Sequence, residues 1–221
     1  MTPSPRIPAI VWLVSGAMWF VLEGIAAAAF PGYSYAENYI SDLGVTVPDV
    51  VDGRVIDSRL SAVMNVEFVA HGILFIVAAI MIVRLTGGML RWLFLLLAVA
   101  HGAGLLLVAV FHSSSAANDD GTILLHVAGA NLAIIGGNLA LIVAGIGAGR
   151  LGASRRYRVF SILWGVIGLV TIAMLFVDTH DAALNLLPDG VWERAAVYPM
   201  MTWEIVTGVL VLAGRRRSVT A

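Results

Sequence analysis

The sequence predicts an all-α, polytopic membrane protein in which six transmembrane helices form one bundle with both termini in the cytoplasm. Three observations lead to this fold class: the composition, the length of the apolar segments and the distribution of arginine. Of the 221 residues, 60% are hydrophobic, and the mean hydropathy is +0.93. One soluble core of this size cannot bury so much apolar surface. Lipid must therefore solvate much of the chain.

Six apolar segments are long enough to cross a bilayer. A helix rises about 1.5 Å per residue, so about 20 residues span the hydrocarbon core. Helices are expected because backbone polar groups in lipid must be satisfied within each segment. We predict a single domain, 1–221, with transmembrane helices at about 8–30, 60–84, 89–112, 122–148, 158–178 and 197–214.

The arginines predict the orientation, because cytoplasmic loops are enriched in positive charge. The chain has no lysine, and ten of its thirteen arginines fall in the N-terminus, the second and fourth loops and the C-terminal tail. The first, third and fifth loops carry most of the acidic residues instead. We therefore expect both termini on the cytoplasmic side and the acidic loops on the outer side.

The first apolar segment has a second interpretation. Arg6, the long apolar run and the alanines at 26–29 also fit a signal peptide with an A-x-A cleavage site. The run is long, and Glu23 lies just before that site. We expect a retained helix, which keeps Glu23 among the polar residues of the bundle.

The first outer loop, at about 31–59, is long for a helical bundle, and connections of this length tend to be functional or partly ordered. It contains the segment Asn38–Gly44, NYISDLG. In one interpretation Ser41 or Asp42 caps a short helix that ends in a turn at Gly44. In the other, the segment forms a lid over an outer cavity.

The third outer loop, at about 179–196, carries a turn signal at Pro188-Asp189-Gly190. Glu193 and Arg194 follow this turn, and Tyr198-Pro199 comes next. We expect Pro199 in the first turn of the sixth helix, where proline is tolerated.

Ionisable side chains inside the apolar segments fall in the outer half of the membrane. A charge in hydrocarbon costs at least about 2 kcal/mol and is usually kept for a function. Glu67 and His71 are four residues apart, so they share one helix face. We expect an outward-opening polar cavity beneath the first and third outer loops, lined by Glu23, Glu67, His71, His126 and Glu204.

The preferred hypothesis is that this cavity binds, senses or moves a lipid or another amphiphile, in a role connected with envelope biogenesis. The acidic outer loops favour a cationic or sugar-bearing head group. A buried Glu and His can also exchange a proton near neutral pH. The expected ligand-binding residues are Glu23, Asn38, Ser41, Asp42, His101, Asn131, Glu193, Arg194, Trp203 and Glu204.

The first alternative is a zinc-dependent hydrolase that acts on a lipid. Zinc accepts imidazole nitrogen and carboxylate oxygen, and its bound water can attack an ester or amide. The sequence contains no H-E-x-x-H signature. The candidate catalytic residues are Glu67, His71 and Asp42, and the candidate metal ligands are Glu67, His71, His126, Asp178 and His180.

The second alternative is a haem-binding protein. His71 and His101 lie at similar depth on adjacent antiparallel helices, and both occur in the tetrapeptide Val-Ala-His-Gly. Ligation by both imidazoles requires the two helices to be splayed apart by the macrocycle.

Three segments resemble an uncharacterised bacterial family of six-helix membrane proteins, domain of unknown function 998. They are Asn38–Gly44, His126–Asn131, and Gly190–Arg194 with Tyr198, Pro199 and Trp203. This resemblance implies a six-helix fold in the bacterial inner (plasma) membrane and no settled activity. The Ser-Asp-x-Gly part of the first loop is also similar to a motif of the DRAM/Sfk family of six-helix proteins, implicated in autophagy and lipid distribution between leaflets.

The sequence also limits the partners. It has no cysteine, which excludes disulfides and thiolate metal sites, and it contains no nucleotide-binding or nucleic-acid-binding motif. The expected partners are membrane lipids and an amphiphilic ligand, with no nucleic acid.

Overall fold

The computed structural model describes residues 4–51, 53–180, 184 and 186–214. Within these residues, six helices are long and apolar enough to cross a membrane. The prediction of an all-α, six-helix membrane bundle is confirmed. The helices are α1 (Arg6–Ala28), α2 (Ser61–Val83), α3 (Leu90–Val110), the short α4 (Ser115–Asp120), α5 (Ile123–Gly147), α6 (Arg155–His180) and α7 (Asp189–Gly214).

The six long helices form a closed ring. Each packs against the next long helix in the chain, α7 returns to α1, and α5 also touches α7 across the ring. Six crossings bring the start of α1 and the end of α7 to the same end of the bundle, which we call the terminal end. The other end is covered by residues 31–51 and 53–59, which we call the strap.

Small residues set the spacing between neighbouring helices. A Cβ atom on Gly104 of α3 would lie 2.5 Å from the carbonyl oxygen of Gly129 and 2.9 Å from Cα of Ala133, both in α5. A Cβ on Gly72 of α2 would lie 3.0 Å from Cα of Gly102 in α3. Such close backbone approach is a main source of helix association in lipid, where no hydrophobic driving force operates between helices.

The sixth membrane helix is longer than predicted. It begins at Asp189, and Pro199 lies inside it, so the prediction that Pro199 occupies the first turn is wrong. Proline lacks a backbone donor, and a partner helix can satisfy the carbonyls around it. Here Nδ2 of Asn138 in α5 donates to the Ala196 carbonyl at 2.9 Å, next to the Ala195 carbonyl for which Pro199 has no donor. The other five long helices agree with their predicted bounds to within three residues at each end.

The strap is ordered. It contains a 3₁₀ helix, Ser41–Gly44, and an antiparallel hairpin of β1 (Asp49–Val51) and β2 (Arg54–Ile56). Leu43 and Ile56 are completely buried. A short helix that ends at Gly44 is present as predicted, but it begins after Ile40 and neither Ser41 nor Asp42 caps it. Neither the hairpin nor α4 was predicted.

Candidate functional site

The strap closes its end of the bundle because the first turns of α7 bind its main chain. Nη1 of Arg194 donates to the carbonyl oxygens of Tyr35 and Asn38 at 2.7 Å each. The carboxylate of Glu193 accepts a hydrogen bond from the amide of Ile40. Glu193, Arg194 and Asn38, which we predicted to bind a ligand, thus hold the strap to α7.

A buried ion pair lies just beneath the strap. Nη2 of Arg194 is 3.2 Å from Oε1 of Glu23, and both side chains are almost completely buried. Oε1 of Glu23 also accepts from the Tyr198 hydroxyl at 3.0 Å, and Oε2 accepts from the Trp19 indole at 3.1 Å. The guanidinium additionally lies 4.9 Å from the centre of the Tyr35 ring. Both carboxylate oxygens of Glu23 are therefore bound by other side chains of the protein.

The strap also has its own polar centre at Asp42, a predicted catalytic residue. Oδ2 of Asp42 accepts from the Tyr39 amide at 3.1 Å, from Nδ2 of Asn38 at 3.2 Å and from Nε of Arg54 at 3.3 Å. The Tyr39 hydroxyl donates to Asp189 of α7 at 2.8 Å. Burial raises the pKa of Tyr39 well above its usual range, so this phenol stays protonated. These contacts hold the strap together and fix it to α7.

Four completely buried ionisable side chains meet in the middle of the ring, and we call them the core cluster: Glu67, His71, His101 and Glu204. Nε2 of His71 lies 3.8 Å from Oε2 of Glu204, and the rings of His71 and His101 are 5.5 Å apart. The Ser15 hydroxyl is 3.0 Å from Nδ1 of His71 and also faces Glu204. The predicted grouping of Glu67, His71 and Glu204 is therefore observed, and Ser15 is an addition that sequence reasoning missed.

The carboxyl groups of the core cluster have unusual surroundings. None of the four oxygens of Glu67 and Glu204 makes a hydrogen bond of ordinary geometry with the described residues. Nε2 of His71 and Nε2 of His101 also lack a hydrogen-bond partner among the described residues. Buried polar atoms are nearly always hydrogen-bonded, so these unpartnered groups are the candidates for a function in the middle of the ring.

The five predicted metal ligands do not converge. Nδ1 of His126 lies 2.7 Å from a main-chain carbonyl that follows α3. Asp178 accepts from two main-chain amides before α7 and from an indole, and His180 is exposed on α6. Only Glu67 and His71 belong to the core cluster, and no three His, Asp or Glu side chains in the described part of the chain are placed to hold an ion. These residues do not fit a zinc site.

Haem does not fit between His71 and His101 either. The centres of their rings are 5.5 Å apart in an edge-to-face contact, so the two imidazoles touch and leave no room for a macrocycle between them. The two helices also touch at Gly72 and Gly102, one residue beyond each imidazole. The macrocycle would have to separate helices that are in backbone contact.

Small residues of α5 hold His101 in place. Nδ1 of His101 lies 2.8 Å from the Ala133 carbonyl of α5. A carbonyl oxygen only accepts, so the proton is on Nδ1 and Nε2 carries the lone pair. A Cβ on Gly137 would lie 2.9 Å from the same Nδ1. Asn131, by contrast, is half-buried and donates to its own helix, so this predicted ligand-binding residue lies away from the cluster.

A small cavity of about 40 Å³ lies between the strap and the core cluster. Ser41 and Glu193 line it on the strap side, and His101 lines it on the opposite side. About 10–15 Å³ is enough for one water molecule, so this cavity has room for water, and Ser41, Glu193 and His101 are the polar partners in an otherwise apolar lining. It lies beneath the strap, where a polar cavity was predicted, but none of the five predicted lining residues lines it: Glu23, Glu67, His71, His126 and Glu204.

Aromatic rings separate the core cluster from the terminal end. The Trp12 ring lies 5.1 Å from the Trp203 ring and 6.3 Å from the Phe94 ring. The Trp203 indole donates to Oγ of Ser161 at 2.9 Å. Trp203, a predicted ligand-binding residue, therefore lies at the boundary between the core cluster and the space below it.

That space is a large cavity of about 870 Å³ inside the ring at the terminal end. Its walls are mostly apolar and include Trp12, Phe94 and Trp203. No acidic residue is among the described residues that line it. Three arginines also line it. Arg84 lies in the α2–α3 connection, Arg91 in the first turn of α3 and Arg150 in the α5–α6 connection. Sequence analysis used these arginines only for orientation and predicted the cavity at the opposite end.

A family model described as "Protein of unknown function (DUF998)" matches residues 13–210. The matched segment contains the strap, the core cluster and most of the large cavity's lining. No curated protein and no solved structure matches the chain. The similarity of the first loop to the DRAM/Sfk family rests on one short segment and stays a prediction.

Proposed function

The chain belongs to the DUF998 family, and we propose that it binds a lipid or another amphiphile in the large cavity. The observation that carries this proposal is the combination of apolar walls, aromatic rings and arginines around about 870 Å³. Ligand sites in proteins have this size and are mostly apolar with a few polar groups that fix orientation.

The arginines favour an anionic head group. Arg84, Arg91 and Arg150 form no ion pair with the described residues, and Nε of Arg91 is buried without a hydrogen-bond partner. Guanidinium groups bind phosphate and carboxylate through two parallel hydrogen bonds. A cationic head group, which the acidic loops had suggested, has less support because those acids do not line the large cavity.

The same arginines support an orientation. Positive loops mark the cytoplasmic side, so we place the terminal end in the cytoplasm, in the inner membrane of a bacterium. The ligand then enters from the cytoplasmic leaflet. A role in envelope biogenesis follows as a proposal, since an anionic amphiphile held on that side is a precursor or component of the membrane itself.

Equilibrium binding of fluorescent lipids to the purified protein tests this function. We expect phosphatidylglycerol to bind more tightly than phosphatidylcholine with the same tails. Arg91→Gln and Arg150→Gln should each weaken phosphatidylglycerol binding by about 1 kcal/mol, the usual contribution of one arginine to an anionic lipid surface. The binding of phosphatidylcholine should hardly change.

Arg156→Gln is the matched control, because Arg156 is exposed on the first turn of α6 and does not line the cavity. It should leave both affinities unchanged. Ala144→Trp places an indole in the cavity lining and should abolish the binding of both lipids. Unchanged binding in Ala144→Trp would show that the lipid binds elsewhere.

A further inference from the structure

The core cluster has a role that lipid binding does not explain. It contains two carboxyl groups and two imidazoles, all completely buried in the middle of the membrane-spanning ring. An ionised carboxylate is strongly disfavoured in such surroundings unless a cation or several donors compensate it.

Each helix around the cluster offers little compensation. From α1 the cluster meets Ser15, while Glu23 of the same helix is already paired with Arg194. From α3 it meets His101, and from α5 the carbonyl oxygen of Ala133, which can only accept. No Arg side chain is paired with Glu67 or Glu204 in the described residues. The two imidazoles are the groups present that can carry a compensating charge.

The cluster thus stays electrically balanced only by holding protons. A proton on a carboxyl group neutralises it, and a proton on His71 gives an imidazolium with Nε2 3.8 Å from Oε2 of Glu204. Intramembrane acids and histidines that face one another are typical of proton relays. The proton count of Glu67, His71 and Glu204 is then a property of the group rather than of one residue.

His101 links this group to the strap end. Its Nε2 lone pair has no partner among the described residues, and its ring lines the 40 Å³ cavity that Glu193 and Ser41 close on the other side. A proton from water in that cavity can bind to Nε2 and form the imidazolium. The imidazolium can return this proton to the water or transfer it to Nε2 of His71, which is also without a hydrogen-bond partner among the described residues and belongs to a ring centred 5.5 Å away.

We propose that the core cluster is a proton-binding site that exchanges protons with the strap end through the cavity between His101 and Glu193. The aromatic rings of Trp12, Phe94 and Trp203 separate this site from the large cavity. The site stands on its own geometry, so it does not depend on which ligand the large cavity binds.

Infrared spectroscopy of the full-length protein in lipid nanodiscs tests for the bound protons. At neutral pH the intact protein should show the carbonyl stretch of buried, protonated carboxyl groups. Glu67→Gln and Glu204→Gln should each lose part of this absorption. Glu37→Gln is the matched control, because Glu37 is an exposed glutamate of the strap, and it should lose none. Absence of this absorption from the intact protein would overturn the proposal without any variant.

Exchange into heavy water tests the route. Replacement of the carboxyl proton by deuterium shifts the carbonyl stretch to lower frequency. The rate of this shift reports how fast heavy water exchanges protons with the cluster. Ala130→Leu fills the 40 Å³ cavity and should slow the shift, whereas Ala144→Leu lines the large cavity and should leave the rate unchanged. Slowing by Ala144→Leu alone would contradict entry from the strap end.

Discussion

Arg194→Ala is expected to lower the free energy of unfolding by about 3–5 kcal/mol, the usual effect of breaking a buried ion pair. Glu23 would be left buried without its counter-charge. The carbonyl oxygens of Tyr35 and Asn38 would also lose their donor, which fixes the strap to α7. Chemical unfolding of the purified protein in mild detergent measures the change.

Arg59→Ala is the matched control for this prediction. Arg59 also pairs with an acid, at 3.3 Å from Asp57, but its side chain is 64% exposed. Exposed ion pairs contribute at most about 1 kcal/mol, so this variant should unfold almost as the intact protein does. Equal losses in the two variants would contradict a special role for the buried pair.

A double variant separates charge from packing. Glu23→Gln in the Arg194→Ala background removes the uncompensated carboxylate, while the amide can still bind the Tyr198 hydroxyl and the Trp19 indole. We expect part of the lost stability to return. No recovery would mean that the loss comes from the strap contacts alone.

The helices were predictable because lipid imposes a length and a composition on each of them. The exception, the first turns of α7, shows the limit of that rule. Asp189, Glu193 and Arg194 are charged, so the sequence places them in a loop, yet they are helical because the strap supplies partners for them. Tertiary partners far away in the chain cannot be recognised from local composition.

The membership of the core cluster was partly predictable for a similar reason. Counting residues from helix ends places Glu67, His71 and Glu204 in the same half of the membrane. It does not give the rotation of a helix about its axis, so His126 was grouped with them although it binds a main-chain carbonyl that follows α3. The same gap explains why the predicted metal ligands do not converge, since they were joined from the outer ends of different helices without knowledge of the faces on which they lie.

The position of the large cavity was beyond sequence reasoning. A cavity is defined by the volume that side chains leave unfilled, and this depends on how the helices splay apart at the terminal end. Arg84, Arg91 and Arg150 had a simpler explanation as orientation signals. Together with Trp12 and Trp203 they line one space, and this juxtaposition exists only in three dimensions.

The two ends of the bundle therefore differ in design. At the strap end, Arg194 and Glu193 bind main-chain groups and leave only a small cavity above His101. At the terminal end, the cavity is about 870 Å³ and has arginines in its lining. In the two proposals a ligand and a proton therefore enter the bundle from opposite ends, with the rings of Trp12 and Trp203 between them.

Gly104→Ala is expected to lower the free energy of unfolding by about 1–3 kcal/mol, the usual cost of overpacking. The added Cβ would lie 2.5 Å from the Gly129 carbonyl oxygen and 2.9 Å from Cα of Ala133, both backbone atoms that cannot rotate away. The two helices must then separate, which also moves the Ala133 carbonyl that holds His101. Thermal or chemical unfolding in detergent measures the loss, and the ring-nitrogen NMR signals of His101 should shift with it.

Gly24→Ala provides the comparison, because no atom lies within 4 Å of the Cβ that it would add to α1. Alanine favours helix over glycine by about 1 kcal/mol, so this variant should be as stable as the intact protein or more so. The difference in unfolding free energy between Gly104→Ala and Gly24→Ala would report the close contact of α3 with α5, because the general effect of replacing glycine is common to both variants. If Gly104→Ala were equally harmless, the contact between these helices would be looser than the structure has it, and His101 would not be held in one tautomer by Ala133.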